Sequence, residues 1–288
     1  MENAIDLHVH STHSDGTFSV PELVEYAHNI NLRAIALTDH DCIDGNVSMR
    51  TLCQKVGIDF VPGVELSTEF QFPNNGIRKE VHLLGYFIDE KNEHFRQYLS
   101  DYLHSRLHRN EQMVEKLQAH GISITLKALE AQYPDSVITR AHMARFLLDS
   151  GQVKTMNEAF KKYLGDDAPC FVDRKKVQTA DAIQLIHDAG GLTVLAHPPL
   201  YNLSHKALDT MICTLKEAGL DGIEAVYSTY HNNEEQDIKA FAHQYDLLIT
   251  GGSDFHGRNK AYIHLGKGRG NLYVPYELYE RLYDAHIR

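Results

Sequence analysis

The stretch Asp6-Leu7-His8-Val9-His10-Ser11-Thr12-His13-Ser14-Asp15-Gly16 decides how this 288-residue chain reads. Side chains alternate along an extended strand, so His8 and His10 point to one face. Two imidazoles on one face, followed by the carboxylate of Asp15, form the first part of a divalent-metal site. A lone His-x-His fits equally well as two surface histidines on an edge strand. Here more groups of the same kind follow: Asp39-His40, Glu65, His82, His197 and Asp254-Phe255-His256, most of them where an expected strand ends.

Working outward, residues 4–9 read as a short apolar strand. Ser19-Val20-Pro21-Glu22 has capping-box spacing and opens a helix to about residue 31. Residues 34–38 read as a buried strand, and a helix around 46–56 stops at Gly57. Strands over 58–66 and 80–87 flank the polar turn Pro73-Asn74-Asn75-Gly76. From about residue 91 to 165 strand signals nearly vanish, and helices are expected over 92–119 (closed by Gly121), 126–132, 140–150 and 156–164. That segment reads as a helical insertion, although ordinary packing helices have the same periodicity. The main domain resumes by about 171–178. A helix over 180–189 ends at Gly190-Gly191, and strands at 192–196, 222–225 and 247–251 alternate with helices ending at Gly219 and near residue 245. A last strand or turn and a helix occupy 271–288. Seven strands, mostly separated by helices, predict an α/β fold with a parallel sheet closing into a barrel. The expected division is a barrel domain from 1–88 and 171–288 and a helical insertion or cap from 89–170.

Hydrophobic content of 43% and charge of 23% are ordinary for a soluble globular protein. No apolar run approaches the roughly 20 residues that span a bilayer. The N-terminus lacks a signal peptide's charged and apolar regions, so a cytoplasmic protein without a membrane partner is expected. Cys42, Cys53, Cys170 and Cys213 are scattered, without the spacing of a zinc knuckle or disulfide framework. The net charge of −11 is uneven: 14 Lys+Arg face 13 Asp+Glu between Asp89 and Gln178, against 14 and 26 elsewhere. An acidic body argues against stable binding along duplex nucleic acid. It leaves room for a small phosphorylated substrate, or one strand end, drawn to cations and a few arginines.

In a parallel α/β barrel the chemistry sits above the C-terminal ends of the strands. His8 and His10, His40, Glu65, His197, Asp254 and His256 all fall there. His82 lies early in its strand and reaches the same rim only if that strand runs antiparallel. Imidazole and carboxylate ligands suit manganese, zinc or iron. A carboxylate such as Glu65 can bridge two cations, and a pair roughly 3.5–4 Å apart can activate water and clamp a phosphoryl group.

Taken together, these motifs resemble those of the PHP (polymerase and histidinol phosphatase) family of metal-dependent phosphoesterases. Asp6-Leu7-His8-Val9-His10-Ser11 with Asp15-Gly16 is similar to its first motif, and Thr38-Asp39-His40-Asp41 to its second. Gly63-Val64-Glu65-Leu66-Ser67 is similar to the third, and Ala196-His197-Pro198 with Gly252-Ser253-Asp254-Phe255-His256 to the last two. The resemblance implies a distorted seven-stranded, TIM-like α/β barrel that holds two or three divalent ions. His8, His10, Glu65 and Asp254 would hold one; Glu65, His82 and His197 a second; Asp15, His40 and His256 a third. It also implies hydrolysis by a metal-bridging hydroxide, with Glu65 as ligand and Arg140 stabilising the transferred charge. Protonation of the leaving group is left unassigned between a metal-bound water and His197. Asp15 stands where the histidinol phosphatase branch often has histidine, which disfavours that alternative activity.

The middle helices resemble a bacterial branch acting on 3′,5′-bisphosphonucleotides, nucleotides or 5′ ends of short RNA. The residues concerned are Arg106, Arg109 and Asn110 on one helix, with Arg140 and His142 opening another. Arginine suits bidentate phosphate recognition, and Arg140 stands at a helix N-terminus. For Arg106 and Arg109 a solvated face with ordinary ion pairs remains open, and His142 either lines the pocket or packs. An amidohydrolase barrel and a non-catalytic metal-binding scaffold are the rival readings. The early Glu65 and the Asp-x-His ending favour phosphoester chemistry over the first, and the full ligand set over the second.

Overall fold

The computed structural model describes residues 4–134, 136–173 and 176–288. Positions 1–3 of the expected barrel domain, position 135 of the expected insertion, and positions 174 and 175 of the expected return segment lie outside them. The elements run β1 (Ile5–Asp6), α1 (Val20–Asn29), β2 (Ala34–Leu37), α2 (Asn46–Val56), β3 (Asp59–Gln71), β4 (Arg78–Tyr86) and α3 (Glu93–Ala119). They continue α4 (Leu126–Gln132), α5 (Arg140–Asp149), α6 (Met156–Ala159), β5 (Val177–Gln178), α7 (Thr179–Asp188) and β6 (Leu192–Leu195). The chain ends with α8 (His205–Glu217), β7 (Gly222–Tyr227), α9 (Glu234–Gln244), β8 (Leu248–Gly252) and α10 (Tyr276–His286).

Seven strands stand in the order β1-β2-β3-β4-β6-β7-β8, with β5 paired to β3 off this path. All neighbours on the path are parallel except that β4 runs against both β3 and β6. The Leu7 amide donates to the Gly251 carbonyl at 3.2 Å and Val9 bridges Phe255, which brings the last strand back to the first. The result is a nearly closed barrel. β2 and β7 are buried at every position, as parallel strands covered on both faces must be. The β3–β4 hairpin turns at Gly76, whose φ of 68° lies in the left-handed region open to glycine.

The expected caps account for the helix ends. Ser19 and Glu22 form the capping box of α1. Gly57 ends α2 in the left-handed conformation at φ 74°. Asn92, expected as the first residue of the helix, is instead its cap and accepts from the Phe95 amide to start α3. Other expectations are adjusted. The first strand pairs regularly only over Ile5–Asp6, because beyond it the backbone bonds alternately to the segments after β2 and β8. β3 runs to Gln71, since Thr68 and Phe70 continue its buried alternation. The expected helix over 156–164 starts as α6 and finishes as a π-helical turn, Phe160–Leu164. The return segment contributes β5.

The barrel interior is filled by side chains such as Ile5, Leu7, Val61, Leu84, Tyr86 and Val194. A separate apolar core, including Met113, Leu117, Leu129, Met143, Leu147 and Leu164, belongs to the helical segment. The long α3 serves both: Phe95 and Leu99 pack on the barrel's outer core, and Met113 and Leu117 on the second core. Among the described residues no helix is long and apolar enough to cross a membrane. All four cysteines are free thiols.

Candidate active site

His8 and His10 follow β1, His40 follows β2, Glu65 lies in β3, and His197, Asp254 and His256 follow β6 and β8. The antiparallel course of β4 puts His82 opposite Ser67, two residues from Glu65. All nine residues expected as ligands therefore meet at one rim. Glu65 is their centre. Its Oε2 lies 3.2 Å from each of His8 Nε2, His10 Nε2 and His40 Nδ1. Its Oε1 lies 2.7 Å from His82 Nδ1 and 3.0 Å from His197 Nε2. Asp254 Oδ1 is 3.3 Å from His10 Nε2 and 3.6 Å from His8 Nε2. Asp15 Oδ1 is 3.1 Å from His256 Nε2 and 3.9 Å from His40 Nε2.

Ligand atoms within 4.8 Å of one another form three groups: His8, His10, Glu65 and Asp254; His40, Glu65 and His82; and His10, Asp15, His40 and His256. His8 Nε2, His10 Nε2, His40 Nδ1, Asp15 Oδ1 and Glu65 Oε2 are buried and take no hydrogen bond. Buried polar atoms are normally partnered. Five orphaned lone-pair atoms converging on a common space, with nitrogen and oxygen donors throughout, fit divalent cations.

The surrounding chain fixes this arrangement. Glu224 on β7 accepts from His8 Nδ1 at 3.0 Å and from the His197 amide at 2.8 Å, the outer carboxylate that orients a ligating imidazole. Asp39 accepts from the amide and hydroxyl of Ser11 and from the Ser14 hydroxyl, which holds the loop between His10 and Asp15. Asp6 accepts from the Ser253 amide and hydroxyl and the Gly266 amide, tying β1 to the loop that carries Asp254. Gly252 is required: a Cβ there would lie 2.4 Å from His8 Cβ. His197 and Asp254 adopt positive φ of 31° and 56°, the kind of backbone strain found at functional sites.

Burial alone would protonate the carboxylates. The facing imidazoles nevertheless hold Glu65 and Asp15 well below the usual carboxylate range, and Lys260 with the histidines does the same for Asp254. Burial also opposes charge on the imidazoles. It pushes His40 down to about 3, whereas Asp254 and Glu65 carry His10 up to about 9. The pocket thus concentrates ionised oxygens and buried imidazole nitrogens in a field that attracts cations.

Above the rim lies a cavity of about 220 Å³ between barrel and helical segment, lined by Asp15, His40 and His82 on one side and Arg106, Arg109, Arg140 and Lys176 on the other. Arg106 and Arg109 are 5% and 6% exposed, which removes the alternative of a solvated face. Arg106 pairs with Asp41, and Arg140 with Asp166 and Glu80; Lys176 reaches Glu80 at 3.1 Å. Two expected substrate contacts fall elsewhere. The Asn110 amide donates to the Ile138 carbonyl, and His142 Nδ1 accepts from the Thr139 amide as part of the α5 cap, its ring against Tyr133. Neither side chain lines the cavity, because the segment that opens α5 takes up the Asn110 amide and His142 Nδ1. The sequence reading missed Glu224, Glu80, Lys176, Tyr227 and Lys260. Only Glu224 carried a signal, as a lone carboxylate in the apolar strand Gly222-Ile223-Glu224-Ala225-Val226.

A model of the PHP domain matches residues 6–172. A Haemophilus influenzae 5′-3′ exoribonuclease is 34% identical over 93% of this chain and 94% of its own. A 3′,5′-nucleoside bisphosphate phosphatase of Chromobacterium violaceum is 34% identical over 88% of this chain and 87% of its own. Among solved structures, one described as a metal-dependent phosphoesterase from Bifidobacterium adolescentis superposes with a TM-score of 0.84 at 28% identity, covering 99% of this chain and 96% of that one. A Chromobacterium violaceum structure described as an amidohydrolase with bound sulfate and no metal gives 0.80 at 32% identity, covering 88% and 87%. The full-length alignments reach His197, Asp254 and His256, which lie beyond the family model's span.

Proposed function

The chain belongs to the PHP domain family, and from that premise we propose that it is a metal-dependent phosphoesterase acting on nucleotides or on the 5′ ends of short RNA. One observation carries the reading: both oxygens of buried Glu65 are ringed by five imidazoles directly beneath a cavity lined by four cationic side chains. His8, His10, Glu65 and Asp254 would hold one ion; Glu65, His82 and His197 a second; Asp15, His40 and His256 a third. Manganese, iron and zinc all suit these donors. When bound, such ions supply Lewis-acid charge for the phosphoryl oxygens and activate water.

The chain's own residues do the rest. Glu65 serves as a ligand, since both its oxygens are taken up by imidazoles. Arg140 and Lys176, held in place by Glu80, present guanidinium and ammonium groups to phosphate oxygens, as does Arg109. His197 turns Nε2 to Glu65 and keeps a buried Nδ1 without a hydrogen-bond partner. A site with cations on one side and anchored arginines on the other suits a substrate with two phosphates, or a strand end. The names of the two curated relatives describe such substrates. The arginine-lined cavity has no use in amide hydrolysis, and Asp15 in place of histidine sets the site apart from histidinol phosphate chemistry.

The test is a screen of protein reconstituted with Mn2+, Fe2+ or Zn2+. It would use 3′,5′-bisphosphonucleotides, mononucleotides, histidinol phosphate, 5′-phosphorylated oligoribonucleotides and a panel of amides and lactones. Phosphate or nucleotide release from the nucleotide substrates is expected. Turnover confined to the amides and lactones, or inactivity with every metal, would sink the proposal.

A further inference from the structure

Asp254 and Glu65 are used differently. Glu65 offers both oxygens to imidazoles. Asp254 offers only Oδ1, which lies 3.3 Å from His10 Nε2, 3.6 Å from His8 Nε2 and 3.3 Å from His256 Nδ1. Its Oδ2 is turned away and taken by two donors, the Tyr227 hydroxyl and the Lys260 ammonium, each at 2.5 Å. Tyr227 comes from the last position of β7, and its ring packs at 5.5 Å from that of His197. Lys260 comes from the turn after β8. Both side chains are anchored away from Asp254. The Tyr227 ring is buried, and Lys260 lies on the short 3-10 helix that Thr17 secures through the Arg258 amide.

We propose that Tyr227 and Lys260 form a two-donor clamp on Asp254 Oδ2, and that this clamp makes Asp254 a one-oxygen ligand while Glu65 remains the two-oxygen bridge. The proposal rests on the phosphoesterase reading and assigns the two residues a positioning role. A carboxylate at positive φ, with two free oxygens among imidazoles, could swing its Oδ1 away from His8 and His10. The clamp removes that option by saturating Oδ2. The ammonium repels a nearby divalent cation, but its side chain is 34% exposed and screened by water. The ordering effect outweighs the repulsion.

The experiment strips the purified full chain of metal and titrates it with Mn2+ by calorimetry, comparing wild type with Tyr227→Phe, Lys260→Met and Lys260→Arg. A phosphoester assay runs in parallel. Outer partners of metal ligands typically affect affinity by about 10–100-fold. Tyr227→Phe and Lys260→Met are each expected to bind Mn2+ about tenfold more weakly, with kcat reduced and KM little changed. Lys260→Arg, which keeps a cationic donor on Oδ2, should recover most of the loss. Tyr227→Phe removes a single hydroxyl, so its effect stands apart from folding. Wild-type affinity in both Tyr227→Phe and Lys260→Met overturns the clamp alone. Tighter binding in Lys260→Met also overturns it, since the ammonium would then act by repulsion. A wild-type chain that binds no metal overturns the phosphoesterase reading and the clamp with it.

Discussion

The barrel rim and the helical segment face each other across one cavity, but they hold their polar side chains by opposite means. The rim's imidazoles and carboxylates converge on one another with unpartnered atoms, while outer groups such as Glu224, Asp39 and Asp6 fix their far ends. The arginines facing them are paired: Arg106 to Asp41, Arg140 to Asp166 and Glu80. A rim built from strand ends and saturated on its outer side is rigid enough to impose coordination geometry. The helical segment packs around its own core and meets the rim loops through Arg106 on Asp41 and the Val137 amide on the His13 carbonyl. Under the proposed function, chemistry falls to the barrel and recognition to the helices.

Replacing the rim's centre should break that division most severely. Glu65→Ala removes the one group shared by five imidazoles, and turnover should fall by about a thousandfold or more, with loss of bound metal. Elemental analysis together with kcat on a phosphoester would check it; full activity would refute the shared-ligand assignment. The helical core comes next. Leu147 is fully buried there, and Leu147→Ala should cost roughly 2–5 kcal/mol. If the two cores unfold separately, denaturant unfolding will show that loss in one transition, while metal titration of the folded protein stays near wild type. A uniform loss across a single transition would show that the two cores fold as one unit.

A smaller effect sharpens the recognition side. Arg140→Ala should raise KM for a 3′,5′-bisphosphonucleotide by about tenfold, from one lost charge-assisted contact of roughly 1.5–3 kcal/mol. The loss on p-nitrophenyl phosphate, which has no second phosphate, should be less. Equal losses on both substrates would place Arg140 with the chemistry.

The smallest effect concerns the barrel's outer layer, far from both faces. His187 Nε2 and Asp221 Oδ2 lie 2.8 Å apart, which raises the imidazole pKa and lowers that of the carboxylate. The histidine's contribution is complete below its unfolded pKa near 6.5 and fades as pH rises through the higher folded value. That of Asp221 is present above its unfolded value near 3.8 and is lost as pH falls through the lower folded one. His187→Gln should therefore cost less than about 1 kcal/mol at pH 6, and less still at pH 9, in melts compared across pH. A cost that does not change with pH would mean the pair acts through neutral hydrogen bonds.

The barrel was legible because its signals are local. Ser19 with Glu22, and Gly57, announce helix ends through backbone hydrogen bonds made within a few residues. The expected ligands were legible because strand ends in an α/β barrel share one rim, so position in the pattern stands in for position in space. The roles of Asn110 and His142 were not, since a buried amide or imidazole reads alike whether it meets substrate or a neighbouring backbone group. Tyr227 and Lys260 were hidden for a related reason: nothing near them in the chain distinguishes a donor aimed at Asp254 from any other tyrosine or lysine.

By itself, then, the order of residues determined which element types form, that seven strands alternate with helices around an α-rich middle, and which nine side chains belong at the rim. Only the tertiary structure decided the antiparallel course of β4 that delivers His82, the burial of Arg106 and Arg109, and the pairing of Glu224 with His8 and of Lys260 with Asp254. Periodicity and capping act over a few residues and are written into them directly. Contacts across 65 or 216 positions of chain, as between Arg106 and Asp41 or Glu224 and His8, exist only once the barrel has closed and the competing partners of each polar atom have been excluded.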